Sequence, residues 1–164
     1  MGRPKKIPVS YITHGVMRIK ESVDITDPCY KKDVWCRMDA VKVRPGPYVC
    51  QYSVKEEVLG YERIARIRIF HQAYMNKITN DTKFRSIIGE IGVDAGVAGF
   101  FENKPDFTRA EWANLCKLMR NGNVWLTPLG FWSQSGYGDG GYEVRARKTS
   151  HGDIIGLEII FIEY

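Results

Sequence analysis

The chain has 164 residues, enough for one domain whose hydrophobic core needs no disulfide or metal to stabilise it. Apolar residues make up 44% of the sequence, yet no run approaches the roughly 18 that a membrane helix requires. The formal charge is +5, and the excess lies in residues 1–20, because beyond them 19 basic residues balance 19 acidic ones.

The first twelve residues are expected to form a flexible basic arm ahead of a single β-rich domain, residues 13–164. They contain Arg3, Lys5 and Lys6 but no apolar stretch of the kind that follows the charges of a secretory signal. Gly2-Arg3-Pro4-Lys5-Lys6 resembles the core of a minor-groove AT-hook, in which an extended, proline-fixed backbone lies in a narrow groove. One hypothesis is therefore a DNA-binding accessory protein that acts through this arm.

Four cysteines lie at positions without any C-x₂-C pair or Cys/His quartet: Cys29, Cys36, Cys50 and Cys116. Such spacing does not predict a structural zinc site. No cofactor is expected. We expect reduced thiols and a cytoplasmic protein, since buried cysteine behaves as a small apolar residue.

The first half of the chain is predicted to be extended. Residues 16–25 form a strand candidate that ends at the turn-favouring Asp27-Pro28 pair, and residues 34–43 form another. The Arg44-Pro45-Gly46-Pro47 segment is typical of a tight turn, and residues 48–54 alternate beyond it.

Alternation is clearest in residues 61–70 and 142–148. Side chains of Ala65, Ile67, Ile69, Tyr142, Val144 and Ala146 are expected to be buried on one face. Side chains of Arg66, Arg68, Arg145 and Arg147 are expected to be exposed on the other.

Between these segments, residues 72–85 are polar and predict a loop or short helix. Residues 87–101 combine strand character with four glycines, which suggests a bulge or a close backbone approach. Thr108 and Glu111 have the spacing of a capping box, which predicts a helix over residues 107–120. Residues 124–132 are extended but broken by Pro128, and the apolar run 154–162 predicts a central strand buried on both faces.

Seven or eight short strands with one helix indicate a mainly β (α+β) fold. We expect an antiparallel β-sandwich or strongly bent sheet, with the helix covering it. Strand and helix do not alternate, which disfavours a parallel doubly wound sheet.

Three bends place an aspartate among glycines or aromatic residues, and they are predicted to converge at one end of a sheet. A cation, a polar ligand or acid–base chemistry could use such a site. The candidate ligand-binding residues are Asp27, Asp94, Gly96, Tyr137, Asp139, Gly140 and Tyr142.

Each aspartate also has a purely structural explanation. Asp139-Gly140 is a favoured hairpin dipeptide, and the carboxylate of Asp27 or Asp94 can accept nearby backbone N–H groups. Residues 136–141 nevertheless hold four glycines, more than one turn requires, and backbone approach to a ligand would account for the excess.

The order of these motifs resembles an uncharacterised bacterial and phage family, the domain of unknown function numbered 4241. The likeness spans roughly residues 21–164, and the basic arm and residues 72–85 depart from it. Its motifs are Asp27-Pro28, then Val93-Asp94-Ala95-Gly96-x-Ala98-x-Phe100, then Gly138-Asp139-Gly140-x-Tyr142-x-Val144, then a late glycine before the terminal apolar strand. The resemblance implies a cytosolic β-rich domain and supplies no activity.

No G-x-S-x-G, P-loop or H-E-x-x-H motif is present. The sequence therefore favours a non-enzymatic binding domain whose glycine-rich loops hold a small polar ligand or a partner protein. The resemblance to a phage family implies that such a domain could sequester a host signal or inhibit a host factor. An aspartate-based hydrolase using a divalent metal is the alternative, beside the DNA-binding hypothesis.

Overall fold

The computed structural model describes residue 2 and residues 8–163. Within these residues eleven strands and one α-helix follow one another, with short 3₁₀ turns at Val58–Gly60 and Gln72–Tyr74. The elements are β1 (Ile12–Ile19), β2 (Ser22–Thr26), β3 (Met38–Lys42), β4 (Gly46–Glu56), β5 (Glu62–His71), β6 (Ser86–Val93), β7 (Val97–Phe101), α1 (Arg109–Leu118), β8 (Val124–Thr127), β9 (Gly130–Gln134), β10 (Gly140–Lys148) and β11 (Ile154–Ile160).

The strands form two antiparallel sheets that pack face to face. The first sheet has six strands in the order β1-β4-β5-β11-β10-β6, and the second has five in the order β3-β2-β7-β9-β8. Side chains from both inner faces share one core, to which β5 contributes Ile67 and β7 contributes Phe100. The predicted antiparallel sandwich with a single helix is confirmed.

The structure has eleven strands rather than seven or eight because three predicted strands are each divided. Residues 16–25 break near Lys20, and residues 87–101 break at the turn after Val93. At both points the chain crosses from the first sheet to the second. Residues 124–132 break at Pro128, where β8 and β9 form a hairpin within one sheet.

The inward side chains follow the predicted alternation. Ala65, Ile67 and Ile69 are fully buried in the core, and Val144 and Ala146 on β10 belong to the same core. Tyr142 is half-buried, with the centre of its ring 5.1 Å from the centre of the Phe161 ring. Strand β11 lies in the middle of its sheet, as its apolar sequence predicts.

Helix α1 covers the outer face of the second sheet. The Thr108 hydroxyl accepts the backbone N–H of Glu111, and the Glu111 carboxylate accepts that of Thr108, which is the predicted capping box. Leu115 and Met119 pack against an apolar cluster that includes Trp132. None of the helical residues is itself buried, so the helix covers the sheet without being part of the core.

Residues 72–85 cover the outer face of the first sheet, and this cover makes one prediction wrong. Arg68 was expected to be exposed, but only 1% of it is accessible. Its guanidinium donates to Gln51 Oε1 at 2.8 Å and to the backbone oxygens of Thr79 and Thr82 at 3.1 and 3.4 Å. It also lies 3.4 Å from the centre of the Tyr11 ring. Arg68 therefore fastens the covering segment to the sheet.

The other three outward arginines, Arg66, Arg145 and Arg147, are half-buried, which also departs from the expected exposure. Glu158 on β11 is opposite Arg68 on one side and Arg145 on the other, and it accepts a hydrogen bond from the Tyr11 hydroxyl. Arg66 approaches the same carboxylate at 3.9 Å. Arg66, Arg68 and Arg145 thus surround one buried acid instead of forming a solvated basic face.

All four cysteines are free thiols. In the part of the chain that the structure describes, no helix is long and apolar enough to cross a membrane.

We expect Arg68→Met to lower the free energy of unfolding by about 1.5–3 kcal/mol, because three acceptors lose a charged donor. The matched control is Arg147→Met, since Arg147 makes no hydrogen bond or ion pair with the described residues. It should change stability by no more than about 0.5 kcal/mol. Urea denaturation of the two variants measures both effects, and equal losses would show that Arg68 does not fasten residues 72–85.

Burial raises the pKa of Glu158 above its ordinary value of 4.5, although Tyr11 and the neighbouring arginines act in the opposite direction. A raised folded pKa means that the native state keeps a proton that the unfolded chain has already released. The resulting stability is complete below about pH 4.5 and is lost as the pH rises through the folded value.

Glu158→Gln removes this titration while keeping an acceptor for Tyr11. The variant's free energy of unfolding should therefore rise relative to wild type between pH 4 and pH 8. The rise should be about 1.4 kcal/mol for every tenfold ratio between the acid dissociation constants of Glu158 in the unfolded and folded states. Urea titrations at five pH values measure the difference. A difference that stays constant with pH would contradict the raised pKa.

Candidate functional site

The Asp27 carboxylate joins two turns at one end of the sandwich. Asp27 directly follows β2 and is fully buried. Its Oδ1 accepts the N–H of Cys29 at 2.8 Å, and its Oδ2 accepts the N–H groups of Asp94 and Ala95 at 2.8 and 2.6 Å. Three backbone donors satisfy the charge without solvent. This geometry matches the structural explanation of Asp27 and leaves its carboxylate no path to a ligand from solvent.

Asp94 and Asp139 lie at the same end of the first sheet. Gly140 pairs with Val93 across β10 and β6, so the aspartates next to these two residues flank the end of the strand pair. Both side chains are exposed and make no hydrogen bond or ion pair with the described residues. The three aspartates therefore share one end of the molecule, two at the surface and one beneath them.

The segment from Ser135 to Asp139 is a crossover rather than a hairpin. Strand β9 belongs to the second sheet and β10 to the first, and they do not pair with each other. The hairpin explanation of Asp139-Gly140 is therefore wrong. Positive φ angles occur instead at Gly136 and Gly138, +59° and +113°. The extra glycines serve a crossing between sheets.

Two turns lie side by side at this crossing. The N–H of Ser135 donates to the carbonyl oxygen of Gly96 at 3.0 Å, and the Ser135 hydroxyl donates to the Gly138 carbonyl at 2.8 Å. The Tyr142 hydroxyl lies within hydrogen-bond distance of the carbonyl oxygens of Ser135 and Gly138. Burial raises the pKa of Tyr142, so this hydroxyl stays a donor. Tyr142 thus supports the loop from within.

Between the two turns and the end of α1 lies a cavity of about 430 Å³, which we call the glycine groove. It is lined by residues from five parts of the chain, among them Arg63, Gly96, Met119, Trp125, Tyr137 and Gly138. Gly96 and Tyr137 are predicted site residues that line it. Arg63, Met119 and Trp125 were not predicted, because strand and helix patterns do not reveal which distant elements meet.

Two of the groove's glycines face open space. A Cβ added at Gly96 or Gly138 would meet no atom within 4 Å, and both residues have positive φ. Gly136 differs, because a Cβ there would approach Ile162 Cγ1 to 2.9 Å. Gly136 is therefore needed for packing, whereas Gly96 and Gly138 leave bare backbone on the surface of the groove.

One wall of the groove is charged and aromatic, and the other is apolar. The Arg63 guanidinium lies 5.0 Å from the centre of the Tyr137 ring and donates to the Gly136 carbonyl at 3.2 Å. The Tyr137 ring is 60% exposed, and its hydroxyl donates to Glu57. Opposite them, Met119 and Trp125 belong to the apolar cluster beneath α1. Cys116 adds a half-exposed thiol.

Metal binding finds no support in the described residues, which contain no group of three or more His, Cys, Asp or Glu side chains able to hold an ion. The arm residues Arg3, Lys5 and Lys6 lie outside the described residues, so DNA binding through the arm stays a prediction. Gly140 lies at the start of β10, where a Cβ would make only ordinary contacts with Tyr142.

Comparison of the chain with protein-family models, with curated proteins and with solved structures finds no match. The resemblance to family 4241 therefore stays a prediction.

Asp27→Asn should destabilise the protein by about 1.5–3 kcal/mol. The asparagine side chain keeps one acceptor oxygen, but an NH₂ group replaces the other. That NH₂ group would face a backbone N–H, and two donors cannot form a hydrogen bond with each other. Asp139→Asn is the matched control, because the exposed Asp139 carboxylate makes no hydrogen bond or ion pair in the described part of the chain. It should shift stability by no more than about 0.5 kcal/mol. Thermal and urea denaturation compare the two, and a silent Asp27→Asn would refute the structural role.

Proposed function

We propose that this protein is a binding domain that holds a small polar ligand in the glycine groove. The observation that supports this most directly is the bare backbone at Gly96 and Gly138, which the protein's own packing does not require. At Gly96 the φ of +71° could be adopted by asparagine, but its side chain would enter the groove. At Gly138 the φ of +113° itself favours glycine, and this residue adds more bare backbone to the groove. Glycine at both positions keeps that space free for another molecule.

The lining indicates the chemistry of the ligand. Arg63 makes no ion pair with a described residue, so its guanidinium has donors left for a carboxylate or similar acid. The exposed Tyr137 ring and the apolar side chains of Met119 and Trp125 suit a flat apolar portion. A volume of about 430 Å³ falls within the usual range for small-molecule sites. A small aromatic acid combines these properties better than a protein surface does.

The proposal assumes a cytoplasmic setting, with which four free thiols are consistent. It also agrees with the binding role that the sequence favours, and it needs no catalytic group. The aspartate-based hydrolase has less support, because Asp27 is committed to backbone donors.

The proposal is tested by blocking the groove without disturbing the fold. Gly96 has a φ of +71°, which asparagine tolerates, and its added side chain would project into open space. Gly96→Asn should therefore keep the stability of wild type to within about 1 kcal/mol. It should also weaken the binding of benzoate and indole-3-carboxylate at least tenfold. Ligand-observed NMR with these two probes measures the binding.

Gly60→Asn is the matched control. Gly60 has a φ of +77° and open space around it, and it does not line the groove. This variant should bind both probes as wild type does. Native mass spectrometry of the purified wild-type protein also tests whether a small molecule is retained. If Gly96→Asn binds the probes as well as Gly60→Asn does, the groove is not the site.

A further inference from the structure

A second concave site lies at the other end of the first sheet. Strand β10 begins at Gly140 beside the glycine groove and ends at Lys148, so the two sites are roughly 27 Å apart along the strand. At the far end, the β3–β4 turn, residues 72–85 and the β10–β11 turn enclose a cavity of about 540 Å³. We call it the basic pocket, after its lining residues Arg44, Lys77, Arg147 and Lys148.

The charge of this pocket is concentrated and uncompensated. Four cations line it against a single carboxylate, that of Asp153. None of the four forms an ion pair with any residue that the structure describes, whereas most of the outward charges near Glu158 are paired. Beyond residue 20 the chain has equal numbers of basic and acidic residues, so this cluster is a local excess in a neutral body.

One of these cations is held in position by the fold. The Arg44 backbone N–H donates to the Ile154 carbonyl at 2.9 Å, and its own carbonyl accepts the buried Tyr48 hydroxyl at 2.6 Å. The Arg44 guanidinium donates to the Tyr74 hydroxyl at 2.6 Å. Its position is thus set before any ligand arrives, which lowers the entropic cost of binding.

Hydroxyl groups complete the lining. The Tyr74 hydroxyl oxygen accepts a hydrogen bond from Arg44, so the hydroxyl proton of Tyr74 is free to donate. Thr149 Oγ1 accepts the N–H of Asp153 at 3.2 Å and likewise keeps a free proton, and the exposed Ser150 follows it in the turn. Donors from arginine, lysine and hydroxyl groups thus line one cavity. Such a set of donors suits a ligand group with several acceptor oxygens and more than one negative charge.

We propose that the basic pocket binds the phosphate group of a phosphorylated small molecule. A phosphate monoester has a charge of about −1.5 to −2 at neutral pH and three strong acceptor oxygens, which match the local excess of cations over Asp153. The cations are gathered around one concave site, which favours a small molecule over nucleic acid, whose backbone is usually bound by a basic stripe along a surface. This site is separate from the glycine groove and does not depend on the function proposed there.

The test uses pyrophosphate and adenosine 5′-monophosphate as probes, with adenosine as the probe that lacks phosphate. Isothermal titration calorimetry on the full chain at low salt should show one site for each phosphate probe and mutual competition. Adenosine should not bind. Because the cations are solvent-accessible, affinity should fall as salt is added.

Three variants decide whether the named residues form the site. Arg44→Gln/Lys148→Gln should weaken pyrophosphate binding roughly tenfold or more, since two charge-assisted donors are lost. The control Lys31→Gln/Lys32→Gln removes the same charge from exposed positions outside the pocket and should change affinity less than twofold. Asp153→Asn removes the opposing carboxylate and should strengthen binding severalfold, a gain that misfolding cannot produce.

Two outcomes would overturn the proposal. In the first, pyrophosphate fails to bind wild type, or binds Arg44→Gln/Lys148→Gln and Asp153→Asn with unchanged affinity. In the second, a 12-base-pair DNA duplex displaces pyrophosphate from the wild-type chain and loses its own binding in Arg44→Gln/Lys148→Gln, which would assign the cations to nucleic acid.

Discussion

The buried carboxylate of Asp27 is the constraint on which the grooved end of the sandwich depends. A charge without solvent persists only if donors surround it, and here all three donors are backbone N–H groups. Two of them belong to the turn by which the chain leaves the first sheet for the second. That turn presents the Gly96 carbonyl to Ser135, which orders the next crossing. One side chain near the start of the domain thus determines the backbone of loops that follow much later.

The two sheets are covered by different means. Helix α1 covers the second sheet with apolar side chains, and loss of that contact would expose hydrophobic surface. Residues 72–85 cover the first sheet partly through an apolar cluster around Phe84 and partly through Arg68. The polar share of this contact requires specific geometry, because each donor must find its acceptor. We therefore expect α1 to tolerate sequence changes better than residues 72–85 do.

Local pattern predicted the sandwich and the orientation of its side chains, but not what covers them. Alternation correctly assigned Ile67 to the inner face and Arg68 to the outer one, because a strand's side chains alternate whatever surrounds it. Whether the outer face meets water depends on residues 72–85, which have no periodicity to indicate their destination. Similarly, the glycine excess pointed to the region of the groove, and Gly96 and Tyr137 line it. Arg63 and Trp125 reach it from elements far apart in sequence, and the equal numbers of basic and acidic residues beyond residue 20 concealed the basic pocket.

The positions of the four thiols allow the groove to be labelled selectively. Burial raises the pKa of Cys50 to about 12, and burial together with the Asp27 carboxylate raises the pKa of Cys29 further. Because the thiolate is the reacting species, these two thiols are slow nucleophiles at neutral pH, and Cys36 is buried. Cys116 is half-exposed on the wall of the groove itself. A fluorophore coupled through a maleimide would therefore concentrate there and report occupancy of the cavity, whatever molecule fills it.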